Sequence, residues 1–323
     1  DARAGYSNVY AQKVNRAGGL SWGVNALPVS RASANQTNPQ IVSDKSGGAF
    51  ICWEEDGTIR AQRLSSQGAK LWEHPLNVAL GSGKQSDPLM IKDGGGGALI
   101  CWIDERNSLS LQDLYGQRVS SAGELLWGKK GKAITEANGN QTEPALAGDG
   151  LGGALISWTD YRNGDRNPDI YAQHVGLNGA RLWSSDDVLV CGAPDVQRRP
   201  AIIEDGESGV IIAWTDKGGG SYDIYAQRLS AGGQSLWMKD GIPISQVSRT
   251  QQNPKFGNKN ILVWEDYRFG NWDIIAGAVA SGGKLLWGEN GVQIAAIPFT
   301  QYAPDCAAVA WNDGAIIAWE DYR

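Results

Sequence analysis

The stretch "TDYRNGDRNPDIYAQHVGLNGARLW", residues 159 to 183, returns as "TDKGGGSYDIYAQRLSAGGQSLW" at 215 to 237 and as "EDYRFGNWDIIAGAVASGGKLLW" at 265 to 287. Working outward from it, three registers recur. Gln-x-x-Pro occurs at Gln36–Pro39, Gln85–Pro88, Gln141–Pro144, Gln197–Pro200, Gln251–Pro254 and Gln301–Pro304. A tryptophan ends a short apolar run at Trp53, Trp102, Trp158, Trp214, Trp264 and Trp319. Another follows a glycine turn at Trp22, Trp72, Trp127, Trp183, Trp237 and Trp287. Each register counts six, so the chain holds six repeats of about 50 residues.

Within a repeat, segments such as "PALAGD", "ALISW", "DIYAQHV" and "RLW" are short and rich in β-branched and aromatic residues. Gly, Asp and Asn bound them. That is the grammar of strands and hairpins, and no stretch holds the 3.6-residue apolar period that a helix needs. In "ALISW" neither alternating face is strongly polar, as expected of a sheet covered on both sides. Four antiparallel strands per repeat predict an all-β chain, a six-bladed β-propeller. The blades fall at 36–80, 85–135, 141–191, 197–245 and 251–295, with a sixth made from 301–323 plus 7–30. The chain opens on "DARAGYSNVYAQKV", which reads as a third strand, and closes on "AIIAWEDYR", which reads as a first and second strand without the rest. The expectation is that both ends complete one blade of a single domain, leaving no free sheet edge. These boundaries also predict a module that belongs to a longer, multidomain chain.

The 323 residues include 43 Gly, 14 Trp and only 4 Phe, with a formal charge of −6. A mild, mixed charge argues against a nucleic-acid surface, which needs a basic stripe. No apolar run approaches the ~20 residues of a membrane-spanning helix, so no membrane insertion is expected. No signal peptide is read, since residue 1 already lies within a repeat. Cys52 and Cys101 occupy the same position in consecutive repeats, roughly a sheet spacing of ~10 Å apart and beyond disulfide reach. They read as small buried apolar side chains, and Cys191 and Cys306 are also expected unpaired.

The tryptophans in register are expected in the core, where each contributes at most about 4–6 kcal/mol of burial. Trp272 and Trp311 stand outside the registers, and Trp272, in "FGNWD", is the better candidate for an exposed contact. The turns "DGGGG" and "DGLGG" open no helix, so they read as hairpins needing positive φ rather than phosphate loops. In Gln-x-x-Pro the glutamine can satisfy loose backbone groups where the innermost strand begins.

The Asp-x-Arg turn joins the second and third strands. It is intact at Asp104–Arg106, Asp160–Arg162, Asp266–Arg268 and Asp321–Arg323, with Tyr161, Tyr267 and Tyr322 between. It is eroded at Glu55-Asp56-Gly57 and at Asp216-Lys217-Gly218. Repetition places these residues on one rim. Two readings stand side by side: an Asp–Arg pair clamping its own hairpin, and a ligand-binding rim of carboxylates, guanidinia and phenols. The binding reading takes Asp104, Arg106, Asp160, Tyr161, Arg162, Asp216, Asp266, Tyr267, Arg268, Trp272, Asp321, Tyr322 and Arg323 as its candidates. A calcium variant pairs Asp160 with Asp169 or Asp266 with Asp273, without the dense oxygen spacing of a dedicated loop. Apart from it, no metal or cofactor is expected.

Motifs such as "WTDYRNG", "WEDYRFG" and "DIYAQRLS…GGQSLW" resemble the propeller repeats of large secreted or surface bacterial proteins, and more distantly the Asp-box propellers of sialidases. The resemblance covers the whole chain. It implies an extracytoplasmic location (secreted, periplasmic or at the cell surface) and a binding or scaffolding role. An Asp-box turn carries Ser-x-Asp-x-Gly-x-x-Trp. Here "SSAGELLW" and "SAGGQSLW" keep Ser, Gly and Trp without the aspartate. With two histidines, His74 and His174, no Ser-His-Asp set and no His/Cys metal cluster can be assembled. Catalysis needs one asymmetric constellation and the repeats are nearly symmetric. The expectation is therefore a non-catalytic module binding a glycan or a protein through its rim loops, with no catalytic residue assigned. The alternatives are a glycan-active hydrolase using rim carboxylates such as Asp160 and Asp266, or a purely structural spacer.

Overall fold

The computed structural model describes residues 5–107, 112–257, 260–295, 300–308 and 314–322. Arg323 and Trp311 lie outside the described residues, as does the side chain of Cys306. Among the described residues there is no helix, and hence none long and apolar enough to cross a membrane. Five sheets have four antiparallel strands each, taken in chain order. In the fourth repeat the strands are Gln197–Glu204, Val210–Asp216, Asp223–Leu229 and Ile242–Ser245. Two further sheets have two strands each: Tyr10–Ala11 with Leu27–Pro28, and Gln301–Ala308 with Ala315–Asp321. The expected joining of the two ends into one blade is thus not seen among the described strands.

The chain divides into two compact units. One holds residues Asp1–Asn138, Gly150–Ala154 and Val175–Ala180, and the other Gly139–Asp149, Leu155–His174 and Arg181–Arg323. The same packing rules operate in both. The second strands at 98–104, 154–160 and 210–216 are buried at every residue, and their tryptophans Trp102, Trp158 and Trp214 are fully excluded from water. The strand Ala315–Asp321 instead alternates between half-buried and exposed.

Trp-x-Asp has a physical meaning: residues two apart share a strand face. The indole Nε1 donates to that carboxylate from Trp102 to Asp104 at 2.8 Å, from Trp158 to Asp160 at 2.7 Å and from Trp264 to Asp266 at 3.1 Å. The second tryptophan register stitches one sheet to the next. Trp127 Nε1 donates to the Leu177 carbonyl, Trp183 Nε1 to that of Ala231 and Trp237 Nε1 to that of Ser281. Each of these indoles lies over the glycine of the neighbouring turn, Gly179, Gly233 or Gly283, where a side chain would collide with it. The buried glutamine of "YAQ" serves the same turn: Gln227 Oε1 accepts from Trp237 N while its Nε2 donates to the Met238 carbonyl.

Cys52, Cys101 and Cys191 are buried and unpaired, and burial pushes the Cys52 and Cys101 thiols up to about 12. In the aspartate-glycine turns, Asp93 and Asp205 accept backbone N–H groups two and four residues on, and take an arginine from the third strand. His174 fills that arginine's position in the third repeat, 3.0 Å from Asp149.

Candidate functional site

Every Gln-x-x-Pro carries a second constant feature that sequence reading missed. The residue before the proline adopts positive φ in all six repeats: Asn38 (48°), Asp87 (51°), Glu143 (51°), Arg199 (54°), Asn253 (56°) and Ala303 (48°). Pairing of the first strand of the sheet skips at this point, for example between Arg198 and Ala201 and between Gln252 and Lys255, which is a β-bulge. Left-handed backbone at a non-glycine residue costs on the order of 1–3 kcal/mol and persists only where its surroundings impose it. Here it re-aims one side chain per repeat, and five different residue types fill the six positions.

In the second unit four of these starts meet around a cavity of about 370 Å³. Pro144, Pro200, Pro254 and Pro304 line it, together with Glu143, Arg199, Asn253, Lys255 and Glu265. Glu265 is 3% exposed and follows the core Trp264 directly, so it points to the opposite strand face. It accepts Ala303 N at 2.9 Å, Gln252 Nε2 at 2.9 Å and Asn253 Nδ2 at 2.6 Å. Glu143 is more open. It accepts Thr159 Oγ1 at 2.8 Å and Arg199 N at 2.9 Å, and pairs with Arg199 Nε at 3.3 Å. Arg199 Nη1 also donates to Asn253 Oδ1. Two carboxylates of unequal exposure, a guanidinium, an ammonium and an amide therefore share one cavity. Such a set can hold a polyhydroxyl ligand and move a proton at a glycosidic oxygen.

The structure places the Asp-x-Arg candidates elsewhere. The turns do lie at the end of the sheet where its first strand starts: Tyr161 N donates to the Asn140 carbonyl and Tyr267 N to that of Thr250. The carboxylates of Asp104, Asp160 and Asp266, however, are fully buried. Arg106 meets Asp104 at 2.7 and 2.5 Å, Arg162 meets Asp160 at 2.9 and 2.7 Å, and Arg268 meets Asp266 at 2.9 and 2.5 Å, each a two-pronged clamp. The same guanidinia reach the carbonyls of Lys130, Asp186 and Asn290. Burying a carboxylate demands such full pairing, so these acids face their own turns and present no open oxygen to a ligand. Asp169 and Asp273 take asparagine amides from Asn163 and Asn271.

Among the remaining candidates, Tyr267, Trp272 and Tyr322 come together with Tyr302. Ring centroids are 5.2 Å apart for Tyr267–Trp272, 6.1 Å for Trp272–Tyr302 and 5.9 Å for Tyr302–Tyr322. Tyr302 precedes Ala303 at the cavity wall, so this aromatic row begins beside the cavity. Tyr161 belongs to the third repeat and not to this row, which the fifth and sixth supply; burial and the Glu143 charge raise its pKa. Asp216 has no arginine in its turn, and Asp321 pairs across its strand with Gln301.

No protein-family model and no curated protein matches this sequence. Solved structures do match in fold. An α-L-arabinofuranosidase from Fusarium graminearum aligns at TM-score 0.50 and 12% identity, over 88% of this chain and 84% of its own. An endo-arabinase from Bacteroides thetaiotaomicron aligns at 0.45 and 15%, over 76% and 94%, and a Hadza microbial sialidase at 0.45 and 13%, over 77% and 57%. At such identity the likeness is one of fold, that of distant β-propeller proteins. Most of these neighbours are glycoside hydrolases by name. Beside the arabinofuranosidase the expectation of a non-catalytic binding or scaffolding module is not kept. Near-symmetry of the repeats does not exclude catalysis, for a structural reason: the four bulges at the cavity carry Glu143, Arg199, Asn253 and Ala303, four different residues.

Proposed function

We propose that this protein is a glycan-active hydrolase whose acid residues are Glu143 and Glu265, in a six-bladed propeller whose last blade is completed by the two ends of the chain. The observation that carries the reading is the joint presence of these two carboxylates, with Arg199 and Lys255, around one 370 Å³ cavity. Glu265, fixed by three donors, serves as base or nucleophile, and the more open Glu143 exchanges a proton with the leaving oxygen. The acids offered for the reaction are these, rather than Asp160 and Asp266, which their arginines occupy. Glycan-cleaving activity in the fold neighbours supports the substrate class, and the aromatic row from Tyr302 to Tyr267 offers ring faces for sugars outside the cavity. An extracytoplasmic location suits polymeric glycan substrates.

The test is release of reducing ends from a panel of arabinans, xylans and sialylated glycans by wild type, Glu143→Gln and Glu265→Gln. Turnover on one class, falling by about 10²–10⁴-fold in either variant, supports the reading. Release from no class overturns the hydrolase assignment, and turnover unchanged in both variants overturns the site.

A further inference from the structure

In each four-stranded sheet the second strand ends on an acid that the core tryptophan holds, and in all but one a guanidinium neutralises it. The turn supplies that guanidinium at Arg106, Arg162 and Arg268. In the first repeat, where the turn reads Glu55-Asp56-Gly57, it comes from the third strand instead: Arg60 lies 3.4 Å from Glu55. The fourth repeat lacks both sources. Gly218 stands at the turn position and Tyr225 at the strand position.

The acid, the ring and the carbonyl position that receive the guanidinium are nevertheless kept there, with the Cys191 thiol 3.9 Å from Asp216 where Ser245 meets Arg268 in the fifth sheet. Trp214 Nε1 donates to Asp216 at 3.0 Å, as in the sister sheets, and Asp216 is 3% exposed. Tyr225 stacks on Trp214 with centroids 6.4 Å apart and planes at 28°, matching Trp102–Tyr115 at 6.4 Å and 30°. In the sister sheets the guanidinium lies on that tyrosine, 3.9 Å above Tyr115 and 3.8 Å above Tyr171, and both rings are buried. Tyr225 is left partly exposed. Asp240 holds the chain position of the carbonyls that Arg106 and Arg162 reach at Lys130 and Asp186. Asp223, paired across the strands with Asp216 and 4% exposed, has a buried Oδ1 with no hydrogen-bond partner. Its counterparts Asp169 and Asp273 each feel the sister arginine, whereas Asp223 has only the negative charges of Asp216 and Asp266 around it.

We propose that the fourth sheet binds a guanidinium group from outside the chain, seated on the Tyr225 ring between Asp216 and the Asp240 carbonyl. A planar cation with forked donors fits because three sister sheets hold one against the same acid, two of them on the same ring. The exposed glycines 219 and 220 leave the turn open above it. The site is independent of the cavity at Glu143 and Glu265, so its fate does not depend on the proposed hydrolysis.

The experiment titrates the protein with methylguanidinium by amide NMR, using methylammonium and sodium at equal ionic strength as controls. Saturable shifts around 216–225 are expected, with Kd on the order of 1 mM for so small a ligand. Asp216→Asn should weaken binding by about tenfold or more. Gly218→Arg, which places the chain's own guanidinium in the position, should abolish it and raise Tm. Tighter binding of free arginine than of N-acetyl-arginine amide identifies a free amino acid as the source. Equal or tighter binding of the amide identifies an arginine side chain of a protein. Shifts no greater than those of the control cations, or binding unchanged in Gly218→Arg, overturn the proposal.

Discussion

Replacing Asp223 with asparagine removes one of the two buried carboxylates, Asp216 being the other, that the fourth sheet leaves without a cation. Burial, then the charges of Asp216 and Asp266, push this carboxyl from 3.8 up to about 6. In the unfolded chain it titrates near its ordinary value, so the folded state holds the proton more tightly. The stabilising contribution is therefore complete below about pH 4, is lost as the pH rises to about 6, and stays lost at neutrality. The difference of roughly two pH units, at 1.36 kcal/mol each, sets an upper bound of about 3 kcal/mol. Asparagine is neutral throughout, and its amide can donate toward Asp216. Asp223→Asn should thus match wild type near pH 4 and exceed it by about 2–3 kcal/mol at pH 7.5. Urea denaturation of both proteins at the two pH values measures this. Acids that do not interact with residue 223 cancel in the difference, while Asp216, relieved of its neighbour's charge, adds to the variant's advantage at neutral pH. A variant no more stable than wild type at pH 7.5, or one with the same advantage at both pH values, would refute the electrostatic reasoning.

Further outcomes follow from the packing. Arg268→Ala strands the Asp266 carboxylate at zero exposure and should cost about 3–5 kcal/mol by chemical denaturation; a loss below ~1 kcal/mol, the worth of an exposed pair, would mean that the clamp is not structural. Trp183→Phe keeps the apolar bulk but loses the 2.9 Å indole bond to Ala231, costing about 1 kcal/mol; an unchanged Tm argues against the stitch. With their thiols pushed up to about 12 by burial, Cys52 and Cys101 should resist a thiol reagent at pH 8 until the chain is unfolded; rapid labelling of the native protein would contradict their placement.

The strands were legible in the sequence because each repeat states the same interactions again. Trp-x-Asp, Gln of "YAQ" and Gln of Gln-x-x-Pro each make one local set of bonds, as when Gln85 Oε1 accepts Ile59 N where the first strand of its sheet begins. Periodicity exposes such bonds. It also drew the functional reading toward the Asp-x-Arg turns, since a conspicuous repeated charge pair looks the same in sequence whether it faces a ligand or its own hairpin. Burial bears on the choice, and Asp160 at zero exposure favours the hairpin clamp. The cavity was hidden for the converse reason. Glu143, Arg199 and Asn253 share no residue type, stand more than fifty positions apart, and converge only because a left-handed residue re-aims the chain at each bulge. Closure by the two ends, read from the flanking half-motifs, is a pairing that the described strands do not contain.

The most direct measurement is a crystal structure of Glu265→Gln soaked with whichever oligosaccharide the wild type cleaves. The expected result is a glycan bound intact in the cavity, with its scissile oxygen within hydrogen-bond reach of Glu143 and residue 265 on the opposite side of the bond. A glycan seated away from both glutamates, or cleaved by the variant at the wild-type rate, would contradict the assignment of the two acids.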